Sequence, residues 1–163
     1  MNPLKRILLV EDSARDAELI SRRPRTASAR GRGRPRRDGA EALDYLYRRG
    51  AFASRSDAQP ILMLLDLKLA KVDGLEVLRQ IKGDPAPKMI PVVMMTSSRQ
   101  EQDLVRSYEL GVNAYVVKPM KFQDFVEAVK QVSGFWGVVN EVPGSLNRSE
   151  GPAAQRASTT VKT

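Results

Sequence analysis

A chain of 163 residues with no cysteine and no histidine has no disulfides, no thiol nucleophile, no cysteine-ligated zinc and no imidazole for acid–base work. Its formal charge of +8 has the look of a nucleic-acid binder, but eight arginines and no acid fall in residues 22–37, and the other 19 basic residues match the 19 acidic ones. No apolar run approaches the ~20 residues of a membrane span, and MNPLKRILLVED carries too short an apolar stretch for a signal peptide, so a cytoplasmic location away from any membrane is expected.

Apolar runs alternate with amphipathic stretches along the chain. Ile7 to Val10 reads as a short buried strand, and a helical pattern begins at Asp16 but stops at Ser21. Ala40 to Tyr47 places Leu43, Leu46 and Tyr47 on one helical face. Ile61 to Leu65 is a second buried strand. Leu75, Leu78 and Ile81, with Val77 beside them, mark a helix that Pro85 and Pro87 close. Val92 to Met95 is a strand. Leu104, Val105 and Tyr108 mark a helix with Gly111 at its C-terminal cap. Ala114 to Val117 is a strand, and Phe122, Phe125, Val126 and Val129 mark a last helix that runs on toward Phe135-Trp136. Strands of unbroken apolar character between helices imply a parallel sheet covered on both faces. The stretch 143–163, rich in Gly, Ser, Thr, Pro and Ala, reads as a disordered tail.

The polar groups fall in one place on this pattern. Glu11-Asp12, Asp66, Thr96 and Lys118 each follow the end of an apolar run. In an open parallel α/β sheet the C-terminal strand ends form the ligand-binding edge, so the five groups converge there. Three carboxylates in one crevice repel by ~4 kcal/mol per pair at about 4 Å and an effective dielectric of about 20. An oxygen-only set without His or Cys suits a hard cation, magnesium first. A carboxylate is a competent nucleophile toward phosphorus, and a lysine and a hydroxyl can hold the transferring group.

With LLVED (8–12), LLDLKL (64–69), Asp73-Gly74, VVMMTS (92–97) and YVVKP (115–119) in this order, the chain resembles the CheY-like response-regulator receiver family over residues 4–132. The resemblance implies a three-layer, flavodoxin-like α/β sandwich with five parallel strands in the order 2-1-3-4-5. It implies Asp66 as phosphoacceptor, Mg2+ held by Glu11, Asp12, Asp66 and the Lys68 backbone carbonyl, Lys118 on the phosphoryl group, Thr96 and Tyr115 as switch residues, and a cis Lys118–Pro119 bond. RDGAEALDYLYRRGAF (37–52), SYELGVNAYVVKP (107–119) and Phe135-Trp136 are similar to the single-domain regulators associated with bacterial phytochromes. That likeness implies a sensor histidine kinase or phosphotransfer protein as partner, signalling by protein–protein contact without a DNA-binding output domain, no enzymatic role beyond self-phosphorylation and autodephosphorylation, and a homodimer through the last helices. Residues 133–142 then extend the last helix.

Residues 22–37 depart from this pattern. They contain no Val, Leu, Ile or aromatic residue, and they hold Pro24 and Pro35, where the family has the end of a helix and its second strand. Several lost apolar anchors at ~1.5–3 kcal/mol each approach the ~5–15 kcal/mol stability of a whole domain, which makes a marginally stable fold the expectation. Three readings account for the segment. It is an altered reading frame, since Arg, Gly, Pro, Ala and Ser dominate GC-rich codons read out of frame; or an Arg-rich nucleic-acid-binding arm; or a linker without a role. A metal-dependent phosphohydrolase also fits the carboxylates, but no further acid–base residue supports it.

Overall fold

The computed structural model describes residues 6–16, 35–144 and 146, and its centre is built from the four apolar runs. Strands β1 (Ile7–Val10), β2 (Leu62–Leu65), β3 (Val92–Thr96) and β4 (Ala114–Val117) pair in parallel in the order β1-β2-β3-β4. Every residue of β1, β2 and β3 is buried, while β4 is half-buried throughout. Alternate residues serve opposite faces, as the two-residue period of a strand requires. Leu8, Val10, Met63, Leu65, Val92 and Met94 join one core layer, and Ile7, Leu9, Leu62, Leu64, Val93 and Met95 join the other.

Helices α1 (Gly39–Tyr47), α2 (Gly74–Gly83), α3 (Glu101–Glu109) and α4 (Phe122–Gly134) connect and cover the sheet. Ala42, Leu43 and Leu46 of α1 and Val77, Leu78 and Ile81 of α2 fill the first layer. Phe125 and Val129 of α4 fill the second, and a π-helical turn at Phe135–Val139 prolongs α4 as its sequence pattern suggests. Two details go beyond the sequence pattern. Tyr47 packs partly buried on the core layer of Leu43 and Leu46, while Tyr45 is the buried tyrosine of α1. Val105 and Tyr108 of α3 are 44% and 54% exposed; the small Ser107 is the buried residue of that helix, and Leu104 is half-buried. Gly111 does take the left-handed conformation past the end of α3, at φ 92°. Beyond the π-helical turn, Val142 packs on the first core layer and Leu146 is buried in it, so ordered packing extends into the segment read as a tail.

Two Asp-Gly pairs start helices by the same device. Asp38 Oδ1 accepts from the Glu41 N–H at 2.8 Å, and Asp73 Oδ1 accepts from the Glu76 N–H at 3.0 Å, capping α1 and α2. The glycine after each cap is required by close approach. A Cβ on Gly39 would lie 1.9 Å from the Val72 carbonyl oxygen, and one on Gly74 would lie 2.2 Å from the Asp66 carbonyl oxygen. The loop that follows β2 is therefore held against the starts of both helices.

The second strand of the expected five is reduced, among the described residues, to one bridge. Arg36 pairs in parallel with Val10, its N–H donating to the Leu9 carbonyl at 2.8 Å and its carbonyl accepting from the Glu11 N–H at 2.9 Å. Pro35 beside it has no N–H to extend the ladder. The Arg36 guanidinium is buried, 4.5 Å from the Tyr45 ring and 4.6 Å from the Phe52 ring, with Nη1 3.3 Å from Glu41 Oε1. Residues 22–34, the end of the first helix and residues 147–163 lie outside the described residues.

Candidate functional site

β1 and β2 end side by side, with Val10 in register with Leu65, so Glu11 and Asp66 leave the sheet as neighbours. One carboxylate oxygen from each of Glu11, Asp12 and Asp66 lies within 4.8 Å of the other two. Glu11 and Asp66 are buried and Asp12 is exposed, which gives the cluster a closed floor and an open mouth. Lys118 arrives from the end of β4, where its N–H donates to the Thr96 carbonyl at 2.7 Å. Its ammonium donates to Glu11 Oε2, to Asp66 Oδ2 at 3.1 Å and to Asp16 Oδ2 at 3.4 Å. Sequence reading did not single out Asp16. It lies in the first helical turn after Glu11-Asp12, and an acid so close behind the pair was the available signal.

The electrostatics follow from this packing. Burial pushes the Glu11 carboxyl up to about 7; Lys118 opposes the rise and the nearby Asp66 charge adds to it. Burial alone would pull the Lys118 ammonium down, but its hydrogen bond to Glu11 and the charges of Asp66 and Glu11 outweigh that and hold it above its ordinary value. One ammonium faces three carboxylates at bonding distance, so the crevice is short of positive charge. The donors are oxygen only, and their convergence within 4.8 Å fits a divalent cation of the hard class. The Lys68 backbone sits over the same crevice, its N–H donating to Asp66 Oδ1 at 3.3 Å.

Thr96 and Tyr115 are joined to each other through one residue. Thr96 ends β3 fully buried, and its Oγ1 accepts from the Ser98 N–H at 3.1 Å. The Tyr115 hydroxyl donates to the Ser98 carbonyl at 3.2 Å. Thr96 does not cap α3. Gln100 holds the cap position without a side-chain bond of its own, because Thr96 is still in the strand and the turn 97–100 intervenes. The Lys118–Pro119 peptide is trans, as no described bond is cis.

Comparison with known proteins gives the family and the fold. Residues 7–130 match the family described as the response regulator receiver domain. The chain is 42% identical over 135 residues to the response regulator Rcp1 of Synechocystis sp., spanning 83% of this chain and 90% of Rcp1. The Mn(2+)-bound crystal structure of Rcp1 aligns with a TM-score of 0.75 and 37% identity over 85% of this chain and 99% of that one. The phosphorylated cyanobacterial phytochrome response regulator RcpA aligns at 0.74 and 40% identity, over 85% of this chain and 98% of RcpA. The bacteriophytochrome response regulator AtBRR aligns at 0.62 and 50% identity, over 84% and 98% of the two chains.

Proposed function

The chain belongs to the response-regulator receiver family, and on that premise we propose that Asp66 accepts a phosphoryl group from the phosphohistidine of a partner sensor kinase or phosphotransfer protein. The observation that carries the proposal is the Lys118 ammonium bonded to both Glu11 and Asp66 in a cluster of three carboxylates. An Asp66 oxygen attacks phosphorus, the P–N bond of the donor breaks, its electron pair returns to the imidazole, and Asp66 becomes an acyl phosphate. A carboxylate nucleophile has no proton to lose, so a chain without histidine needs no base for this step.

Lys118 exchanges a carboxylate for a phosphoryl oxygen as the group arrives, and the Thr96 hydroxyl donates to another. Glu11, Asp12, Asp66 and the Lys68 carbonyl are the residues that would hold Mg2+, which when bound neutralises charge on the transferring group. Phosphorylation then shifts Thr96 and Tyr115 and alters the surface around α3, β4 and α4 that a downstream protein reads. Beyond that transfer, self-phosphorylation from small phosphodonors and autodephosphorylation are the only chemistry in this reading.

The relatives named for phytochromes favour a phytochrome-like sensor histidine kinase as the phosphodonor, and with it a cytoplasmic setting. No helix among the described residues is long and apolar enough to cross a membrane. Phe135, Val138 and Val139 at the end of α4 are 50%, 74% and 68% exposed, and this apolar surface favours self-association through the last helices. Nucleic-acid binding through residues 22–37 draws no support from the relatives, and Arg36 is turned inward against Tyr45 and Phe52. Incubation with acetyl phosphate and Mg2+ is expected to label the protein by one phosphoryl group, and Asp66→Asn to abolish labelling. Undiminished label in that variant would refute the assignment.

A further inference from the structure

Ser98 is bonded through both its backbone and its side chain to elements that the proposed switch must move. Its N–H donates to Thr96 Oγ1 at 3.1 Å, and its carbonyl accepts from the Tyr115 hydroxyl at 3.2 Å. Its hydroxyl donates to Asp103 Oδ2 at 2.6 Å and accepts from the Gln100 N–H at 3.3 Å. Asp103 lies in the first turn of α3, where a carboxylate is favoured by the helix dipole. A hydroxyl–carboxylate bond this short is of the charge-assisted class, the strongest kind a serine makes.

The consequence is mechanical. Tyr115 is held by a backbone carbonyl, and a carbonyl on a turn is only as well placed as the turn. Here the turn is tied to α3 by the serine hydroxyl. With that tie in place, a displacement of the Thr96 hydroxyl is transmitted through the Ser98 N–H to the Ser98 carbonyl and so to Tyr115. Without it, the 97–100 turn reorients independently, and the Tyr115 hydroxyl loses a fixed acceptor.

We propose that the Ser98–Asp103 hydrogen bond is a positioning pair that couples Tyr115 to Thr96. The proposal rests on the reading of Asp66 as phosphoacceptor, and neither residue takes part in the phosphoryl transfer itself. It assigns a role to two side chains whose importance does not depend on contact with the crevice.

The test uses full-length protein carrying fluorotyrosine, with the Tyr115 resonance among the four tyrosines identified by its loss in Tyr115→Phe. Acetyl phosphate and Mg2+ are expected to displace that resonance in the unaltered protein. In Ser98→Ala and in Asp103→Ala the population with the displaced resonance falls about tenfold, the lower end of what a hydrogen bond to a charged group is worth, while Asp66 is still labelled. The double variant behaves like either single one, because both remove the same bond. Ser98→Thr keeps the hydroxyl and restores the displacement. Full displacement in both alanine variants, with the unaltered protein labelled, overturns the coupling alone. No label on the unaltered protein overturns the phosphoacceptor reading and the coupling with it.

Discussion

Replacing Gly74 by alanine tests how rigidly the end of β2 that carries Asp66 is held. The new Cβ would stand 2.2 Å from the Asp66 carbonyl oxygen, 2.8 Å from Leu67 Cα and 2.9 Å from the Leu67 carbonyl oxygen. All three atoms are backbone, so no side chain can rotate away, and the closest must retreat by the better part of an ångström. The turn resists, because the Asp66 N–H is bonded to the Val10 carbonyl at 3.1 Å and the Gly74 N–H to the Leu67 carbonyl at 2.9 Å. Overpacking against fixed backbone costs about 3 kcal/mol, a large share of the ~5–15 kcal/mol that holds a domain folded. The thermal midpoint is expected to fall by roughly 10 °C. Gly83→Ala is the control. It lies at the other end of α2 with nothing within 4 Å of its Cβ, and it should be neutral or stabilising by about 0.5 kcal/mol. Circular dichroism melts of both variants give the comparison, and acetyl phosphate labelling of the folded Gly74→Ala protein should be slowed by the displaced Asp66. A Gly74→Ala midpoint within a few degrees of the unaltered protein would refute the close-packing argument.

Two further predictions concern buried charge. Burial holds the Glu11 carboxyl at about 7 against an ordinary 4.5, so the folded chain keeps a proton across that interval that the unfolded chain has already released. The contribution of Glu11 to metal-free stability is therefore complete below the lower value and is lost as pH rises toward the upper one. Urea melts across the interval should show this loss in the unaltered protein but not in Glu11→Gln, and divalent-cation affinity should tighten over the same range; parallel curves for the two proteins would contradict it. Away from the crevice, Lys82 Nζ donates to the Lys88 carbonyl at 3.1 Å, the Ile90 carbonyl at 2.9 Å and Asn113 Oδ1 at 3.0 Å. Lys82→Met leaves these acceptors without their donor and should cost about 2 kcal/mol in denaturant melts, with Asp66 labelling unchanged; slower labelling would show that the tie reaches the crevice.

The strands were legible because they are buried on both faces, and such runs carry one simple pattern. ILLV at 7–10 and AYVV at 114–117 coincide with the bounds of β1 and β4. The convergence of Glu11, Asp12, Asp66 and Lys118 was legible for the same reason, since a parallel sheet carries the residue after each strand to one edge. The helices were marked, but not which of their residues the core takes. Leu104, Val105 and Tyr108 marked α3, yet the small Ser107 is its buried residue while Val105 and Tyr108 remain exposed. Hydrogen bonds made by side chains to distant partners were beyond reach. Nothing in a sequence pattern says that Lys82 meets Asn113 or that Tyr115 meets Ser98, because those partners are set by how the loops close after the strands have paired.

The Arg-rich segment bears differently on the fold and on the crevice. Its composition removes the apolar side chains that a second strand would add to the core, and that loss bears on stability. The crevice depends on something narrower, the path of β1 into Glu11. That path is held on one side by β2, where the Asp66 N–H bonds to the Val10 carbonyl at 3.1 Å, and on the other by Arg36, whose backbone accepts from the Glu11 N–H at 2.9 Å and donates to the Leu9 carbonyl at 2.8 Å. The Arg36 side chain lies between Tyr45 and Phe52, a cation set against two aromatic faces where an apolar side chain would ordinarily pack. A single bridged residue at the C-terminal end of β1 thus supplies the side that β2 does not, and the carboxylate cluster forms although the strand on that side is reduced to one residue among those described.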